Sequence, residues 1–130
     1  MCLYKRGNRK RAKKDIIAYK VLVYNRRDAR FHSMYKNYIW DIGVEQEAKK
    51  ARPGRISKDG EVGSGYFHSY KYAFAINISE STLDYKTCIF RCIIPKGSYY
   101  YEGFHSDGID GYASKKLKIV EELYRAGEWQ

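Results

Sequence analysis

The residue types best suited to chemistry in this 130-residue chain are three histidines, each followed directly by a serine. The pairs are His32-Ser33, His68-Ser69 and His105-Ser106. Two imidazoles can exchange a proton with a phosphate ester, so the repeat raises the hypothesis of a two-histidine phosphoesterase. That chemistry favours a His-x-Ser or His-x-Thr spacing, whereas neighbouring residues of a strand point to opposite faces. We therefore interpret His68 as a pocket or packing residue and predict no catalytic residue.

Tyrosine is the second unusual resource, with fourteen in the chain. Two groups stand out: Tyr66, Tyr70 and Tyr72 near His68, and Tyr99, Tyr100 and Tyr101 after a Pro-Lys-Gly turn. A tyrosine ring loses little entropy when it stacks on a base and can still donate a hydrogen bond, so tyrosines among cations suit nucleotide binding. The alternative is that many of these rings pack in the core, and both interpretations stay open.

The positive charge is concentrated at the N-terminus. The chain carries a net charge of +10, and seven cations and no acidic residue precede Asp15. These cations are Lys5, Arg6, Arg9, Lys10, Arg11, Lys13 and Lys14. Such a cluster attracts phosphates through charge and counterion release without reading sequence. We predict a polyanion-binding arm over residues 1–14, the alternative being a solvated N-terminus that aids solubility.

Two further basic groups are a turn-rich segment at residues 49–58 and a group around Lys115 and Lys116. We predict that a phosphate-rich ligand, a nucleotide or a nucleic acid, binds where these cations meet tyrosines. The predicted ligand-binding residues are Arg55, Tyr66, His68, Ser69, Tyr70, Lys96, Tyr100 and Lys115.

The sequence lacks the motifs of familiar enzymes and metal sites, including GxGxxG, the P-loop, HExxH, GxSxG and CxxC. Asp107 and Asp110 have a calcium-loop-like spacing, but the third acidic position and the later Glu are missing. Because the three cysteines are odd in number and lack CxxC spacing, we interpret Cys88 and Cys92 as buried thiols. We expect no cofactor and no metal.

Composition and length predict one folded domain in a reducing cytoplasm. Hydrophobic residues make up 44% of the chain, too many for a disordered polymer, and 130 residues suit one core. No apolar run is long enough to span a bilayer, and no signal-peptide pattern appears. We therefore expect a cytoplasmic protein without a membrane partner.

The chain pattern predicts an α+β fold, a mostly antiparallel sheet with one or two short helices and the basic arm, in a single domain over residues 15–130. Strands are predicted at residues 15–24, 38–40, 84–95 and 99–102 from their β-branched and aromatic content. Helical segments are predicted at residues 45–51, 70–78 and 120–125. A loop is predicted at residues 103–111.

Several segments resemble a family of small uncharacterised proteins encoded by phages, prophages and gut bacteria. They are Met1-Cys2-Leu3, Lys14-Asp15-Ile16, Tyr19-Lys20-Val21, Tyr66-Phe67-His68-Ser69-Tyr70, Ile93-Ile94-Pro95-Lys96-Gly97-Ser98-Tyr99-Tyr100, and Tyr112-Ala113-Ser114 with Leu117. This resemblance covers nearly the whole chain and brings no established activity. It implies a role against host defences, exerted by binding a protein, a nucleic acid or a signalling nucleotide.

A second, shorter resemblance is to the ADP-ribosyltransferase fold. It is carried by Gly65-Tyr66-Phe67, Ala73, Pro95-Lys96-Gly97, Ser114 and Glu121. It implies an enzyme that uses NAD, with Glu121 or Glu122 in its site, although Tyr19-Lys20 stands where that family has an early Arg or His. We expect a non-catalytic counter-defence protein that binds a phosphate-rich ligand. The alternatives are ADP-ribosyl transfer and an interaction module that inhibits a host defence protein.

Overall fold

A computed structural model describes residues 3–33, 38–49, 61–62, 66–73 and 85–126. These residues form twelve strands in one sheet and no helix. The strands are β1 Leu3–Lys5, β2 Lys10–Arg11, β3 Ile16–Asn25, β4 Arg30–Ser33, β5 Ile39–Trp40, β6 Glu45–Glu47, β7 Glu61–Val62, β8 Phe67–Tyr70, β9 Tyr85–Ile94, β10 Tyr99–His105, β11 Asp110–Ser114 and β12 Lys116–Arg125. The predicted α+β class is therefore wrong, because the described chain is antiparallel β structure.

The centre of the sheet is the pair β3 and β9, which align over ten residues from Ile16↔Ile94 to Asn25↔Tyr85. Both strands are rich in β-branched and aromatic residues, which fit a pleated, half-buried surface. Alternate residues on one face of the pair are buried, and they include Ala18, Leu22, Cys88, Phe90 and Cys92. The strands predicted at residues 15–24 and 84–95 are thus confirmed.

The two thiols of β9 are buried, as the sequence predicted. Burial raises the pKa of both Cys88 and Cys92 to about 12. A thiol with such a high pKa remains protonated and unreactive near neutral pH. These cysteines therefore act as small hydrophobic residues.

The continuous segment of β11 and β12 belongs to two parts of the sheet. The strand order is β6-β12-β9-β3-β8-β11-β10-β1-β7. β11 pairs with β8 and β10, and after the single residue Lys115 the chain continues as β12, which pairs with β9 and β6. A strand that passes between two parts of a sheet makes a corner, as in orthogonal sheet packings. The buried side chains of both parts form one cluster.

Two predicted helices contain strands in their described residues, because pairing with distant residues outweighs local helix propensity. Residues 45–51 were predicted to be helical, but Glu45–Glu47 forms β6, in which Glu47 lies opposite Lys116 and Glu45 lies opposite Lys118. Opposite charges on facing strand positions favour that pairing. Residues 120–125 belong to β12 and pair with β9 across two register shifts. Of the predicted helix at residues 70–78, Tyr70 ends β8 and residues 74–78 lie outside the described part.

The N-terminal segment is part of the sheet over its described residues. β1 lies between β10 and β7, and its Leu3 side chain is fully buried. β2 pairs with the start of β10. The basic segment is therefore held against the sheet by two strands.

The predicted strands near residues 38–40 and 99–102 are confirmed as β5 and β10. The loop predicted at residues 103–111 is shorter, since β10 continues to His105 and β11 begins at Asp110. Gly103 allows this continuation, because a Cβ at this position would lie 2.0 Å from the Tyr4 carbonyl oxygen. Within the described residues, no helix is long and apolar enough to cross a membrane.

Candidate functional site

An exposed tyrosine ring and two arginines meet where β2 adjoins the start of β10. Tyr99 lies opposite Arg11 in the register of these strands, and its side chain is 42% exposed. The guanidinium carbon of Arg9 is 4.3 Å from the centroid of the Tyr99 ring, and that of Arg11 is 5.7 Å away. Both distances are within the range of a cation–π interaction. Two arginines therefore flank one accessible ring.

Backbone hydrogen bonds hold this arrangement in place. The amide of Ala12 donates to the Ser98 carbonyl at 2.9 Å, and the amide of Gly97 donates to the Ala12 carbonyl at 2.8 Å. Arg11 Nε also donates to the Gly97 carbonyl at 3.2 Å. The basic segment is thus fixed on the turn between β9 and β10.

Further exposed cations surround Tyr99 along the same chain segments. The Lys96 backbone amide donates to Asp15 Oδ1 at 2.8 Å, which brings the turn against the end of the basic segment. We define the Tyr99 surface as Arg9, Arg11, Lys13, Lys14, Lys96 and Tyr99, all of which are exposed. Lys10 lies opposite Tyr100 and belongs to the other face, where its Nζ is 4.0 Å from a Glu102 carboxylate oxygen. Positive charge therefore dominates this surface.

A third arginine contacts a ring at the other end of β10. The guanidinium carbon of Arg6 is 5.2 Å from the centroid of Phe104, which stacks on Tyr4 at 5.4 Å. Arg6 also donates to Asp110 Oδ1 at 2.8 Å. Because Phe104 is five residues from Tyr99 on the strand, the two rings point to opposite faces. The charge of Arg6 is therefore paired with Asp110, and its contact with Phe104 is separate from the Tyr99 surface.

Deeper in the sheet, rings from β10 and from the β8 segment meet across β11. We call this set the ring row: Tyr66, His68, Tyr70, Tyr101 and His105. Ring centroids are 5.7 Å apart for Tyr66 and Tyr101, 5.8 Å for His68 and His105, and 4.8 Å for Tyr70 and His105. The structure therefore joins three predicted site residues with two that were not predicted.

Small residues on β11 make room for the ring row. Ala113 lies between His68 and Tyr101, and Gly111 lies between Tyr70 and Gly103. A Cβ on Gly111 would be 2.2 Å from His105 Nε2 and 2.4 Å from the Ser69 carbonyl oxygen. Only glycine fits there, because neither the imidazole nor the neighbouring backbone can approach a side chain so closely.

Two polar groups of the ring row have hydrogen-bond partners inside the protein. His105 is fully buried, and its Nε2 donates to the Ser69 carbonyl oxygen at 2.7 Å. Burial lowers the pKa of His105. Tyr70 Oη donates to Asp107 Oδ2 at 3.0 Å. The other ring nitrogen of His105, Nδ1, is buried without a hydrogen-bond partner among the described residues, so the row is part of the core with one unpaired imidazole nitrogen.

A lysine amine lies beside the ring row. Lys20 Nζ donates to the His68 carbonyl oxygen at 2.6 Å and is 5.6 Å from the Trp40 ring centroid. Burial lowers the pKa of Lys20 to about 8. An enclosed amine of this kind costs folding free energy while it is charged. It is the most strongly perturbed amine among the described residues.

Of the three His-Ser pairs, the structure brings together the imidazoles of two. His32 lies apart on β4, where its Nε2 is 2.7 Å from Asp28 Oδ2. In the other two pairs, the imidazoles of His68 and His105 belong to the ring row. The Ser69 side chain, next to His68, is buried and lies on the opposite face of β8.

The other predicted ligand-binding residues do not join the ring row. Lys115 Nζ donates to the Ala48 carbonyl at 2.5 Å, and Tyr100 packs against Tyr112 at 6.0 Å between centroids. Lys96 belongs to the Tyr99 surface, while Arg55 lies outside the described residues. The structure therefore does not bring the predicted set together at one site.

Sequence reasoning left Tyr99, Tyr101 and His105 out of the predicted site. The two-residue spacing from Tyr99 to Tyr101, with His105 four residues later, puts all three on one face of a strand and was a usable signal. No group of three or more His, Cys, Asp or Glu residues that could hold a metal ion occurs in the described ranges. No protein-family model, curated protein or solved structure matches the chain.

Proposed function

We propose that the protein binds nucleic acid through the Tyr99 surface and does so without catalysis. The observation that supports this most directly is the placement of Arg9 and Arg11 on an exposed Tyr99 ring by the pairing of β2 with β10. Arginine and aromatic groups together suit a ligand with both phosphates and bases.

The number and spread of cations favour a polymer over a single nucleotide. Five exposed cations lie on this surface, in the segment from Arg9 to Lys14 and in the turn that holds Lys96. A nucleic acid carries a phosphate at every step, so it can occupy several of these cations at once and release their counterions. A nucleotide messenger has too few phosphates to do so.

The biological context remains a proposal from the sequence. A small phage-encoded protein that binds nucleic acid fits a counter-defence role, in which it would shield or sequester a strand that a host system recognises. The interaction-module alternative would place an acidic host protein on the same cations. Competition between that protein and an oligonucleotide would then be the distinguishing observation.

ADP-ribosyl transfer ranks below nucleic-acid binding because its candidate carboxylates have partners. Glu121 forms an ion pair with Arg91. Glu122 accepts two hydrogen bonds from Arg125, at 2.8 and 2.9 Å. Release of nicotinamide from NAD that is abolished by Glu121→Gln or Glu122→Gln would reverse this ranking.

Charge removal at the Tyr99 surface tests the proposal. We expect the double variant Arg9→Ala/Arg11→Ala to bind a labelled oligonucleotide about tenfold more weakly. The slope of log K against the logarithm of the salt concentration should become smaller in magnitude by roughly 1 to 2. Fluorescence anisotropy at several salt concentrations measures both quantities. The matched control is Arg26→Ala/Arg27→Ala, which removes the same charge from the exposed turn after β3.

An equal loss of oligonucleotide affinity in the two double variants would contradict a defined binding site, because it would show that only the total charge of the protein matters. Deletion of residues 1–14 is a poorer experiment. It removes β1 with the fully buried Leu3 side chain, and so it would disturb the fold as well as the charge.

A further inference from the structure

Electrostatic attraction to phosphates does not account for the Tyr99 ring on the basic surface. A phosphate-binding surface needs only cations, yet here an aromatic side chain is 42% exposed among them. Exposed tyrosines occur elsewhere in the described residues, for example Tyr124 at 53%. The difference is that Tyr99 has two guanidinium groups within 6 Å of its ring.

Both arginines lie on the ring side of the N-terminal segment. The guanidinium carbons of Arg9, which directly precedes β2, and Arg11 are 4.3 and 5.7 Å from the Tyr99 centroid. The two residues are two positions apart, about 6.7 Å along an extended chain. Lys10, between them, lies opposite Tyr100 and points to the other face. Two guanidinium groups are therefore within reach of the ring, that of Arg9 the nearer.

This spacing suits an unpaired nucleotide. In a duplex the base faces are covered by neighbouring base pairs, so an exposed ring can gain nothing by stacking and only the cations contribute. In a single strand, a base can lie on the Tyr99 ring while its two flanking phosphates meet Arg9 and Arg11. Stacking of this kind tolerates any base, because every base has a π face.

We propose that the Tyr99 surface prefers single-stranded over double-stranded nucleic acid, with one base stacked on Tyr99 between Arg9 and Arg11. This inference rests on the proposed nucleic-acid binding and adds the class of ligand. In this proposal the cations attract any nucleic acid, and the Tyr99 ring provides the preference for an unpaired strand.

The test compares a labelled mixed-sequence oligonucleotide with the duplex of the same sequence. We expect Tyr99→Leu to weaken single-strand binding about tenfold, the factor expected for one lost stack, and to change duplex binding less than twofold. Tyr99→Phe should stay within twofold of the wild type on both ligands, since it keeps the ring. Tyr124→Leu is the matched control, an exposed strand tyrosine whose loss should leave both affinities unchanged.

The outcomes separate the two proposals. If Arg9→Ala/Arg11→Ala weakens both ligands equally while Tyr99→Leu weakens neither, nucleic-acid binding stands and the single-strand inference is overturned. Tighter binding of the duplex by the wild type would also overturn it. If neither ligand binds in a manner that depends on the two arginines, both proposals fail. Circular dichroism and melting curves of every variant confirm that the fold is retained.

Discussion

The two ends of one strand face show how the same residue types serve different purposes in this protein. Tyr99 begins β10 and is 42% exposed, whereas Tyr101 and His105, on the same face, are 4% and 0% exposed. At Tyr99 the neighbouring strand is β2, which brings arginines. Tyr101 lies opposite Ala113 of β11, whereas His105 lies opposite Leu3 of β1 with its ring against Gly111 of β11. The small residues of β11 let the rings of the β8 segment close over both side chains. The neighbouring strand, more than the residue itself, decides between a binding group and a core group.

The largest effect is expected from Gly111→Ala, which would break the buried half of this comparison. Its Cβ would lie 2.2 Å from His105 Nε2, so the imidazole and the adjacent strand must shift. We expect a loss of about 3 kcal/mol or more in the free energy of unfolding, measured by urea denaturation. Gly108→Ala is the control, because Gly108 has a positive φ of 84° but open space around it, and about 1 kcal/mol is expected there. A Gly111 variant as stable as the Gly108 variant would contradict the packing of the ring row.

The enclosed Lys20 amine predicts an unusual rise of stability with pH. The folded pKa is about 8 against 10.5 for an unperturbed lysine, so above pH 8 the unfolded chain holds more protons. Stability from this group therefore increases as pH rises through 8. We expect the wild type to gain about 1 kcal/mol more than Lys20→Met between pH 7.5 and 9. Parallel unfolding free energies in the two proteins would show that the amine is not enclosed.

His105 predicts a loss of stability toward acid. Its folded pKa is lowered by burial, so as pH falls through the unperturbed value of 6.5 the unfolded chain binds a proton more readily than the folded chain. Between pH 7.5 and 5.5 we expect the wild type to lose more stability than His105→Gln. Because glutamine can still donate to the Ser69 carbonyl, the comparison isolates the titration. A variant that loses as much as the wild type would indicate an accessible imidazole.

The parts of the fold that local sequence predicts are the strands with dense β-branched and aromatic residues, β3, β9 and β10. The failures have a common cause. Residues 45–51 have helix-forming composition, but the lysines that draw Glu45 and Glu47 into a strand are about seventy positions away. A local pattern cannot represent such pairing, and so helices were predicted where the chain forms strands.

The candidate site divides in the same way. The concentration of cations before Asp15 is visible in the sequence, and Tyr66, His68 and Tyr70 are close enough in the chain to be recognised as one group. That Arg11 meets Gly97, 86 residues away, is a consequence of sheet topology. The same holds for the meeting of His68 with His105 across β11. Both the Tyr99 surface and the ring row depend on these long-range pairs.

Hydrogen–deuterium exchange with and without a single-stranded oligonucleotide tests the central claim most directly, because it locates the ligand on the chain. We predict slower amide exchange in residues 9–14 and 96–99 when the oligonucleotide is present, and unchanged exchange in residues 66–70 and 101–105. Protection confined to the segments that contain His68 and His105, with none in residues 9–14, would contradict the assignment of binding to the Tyr99 surface.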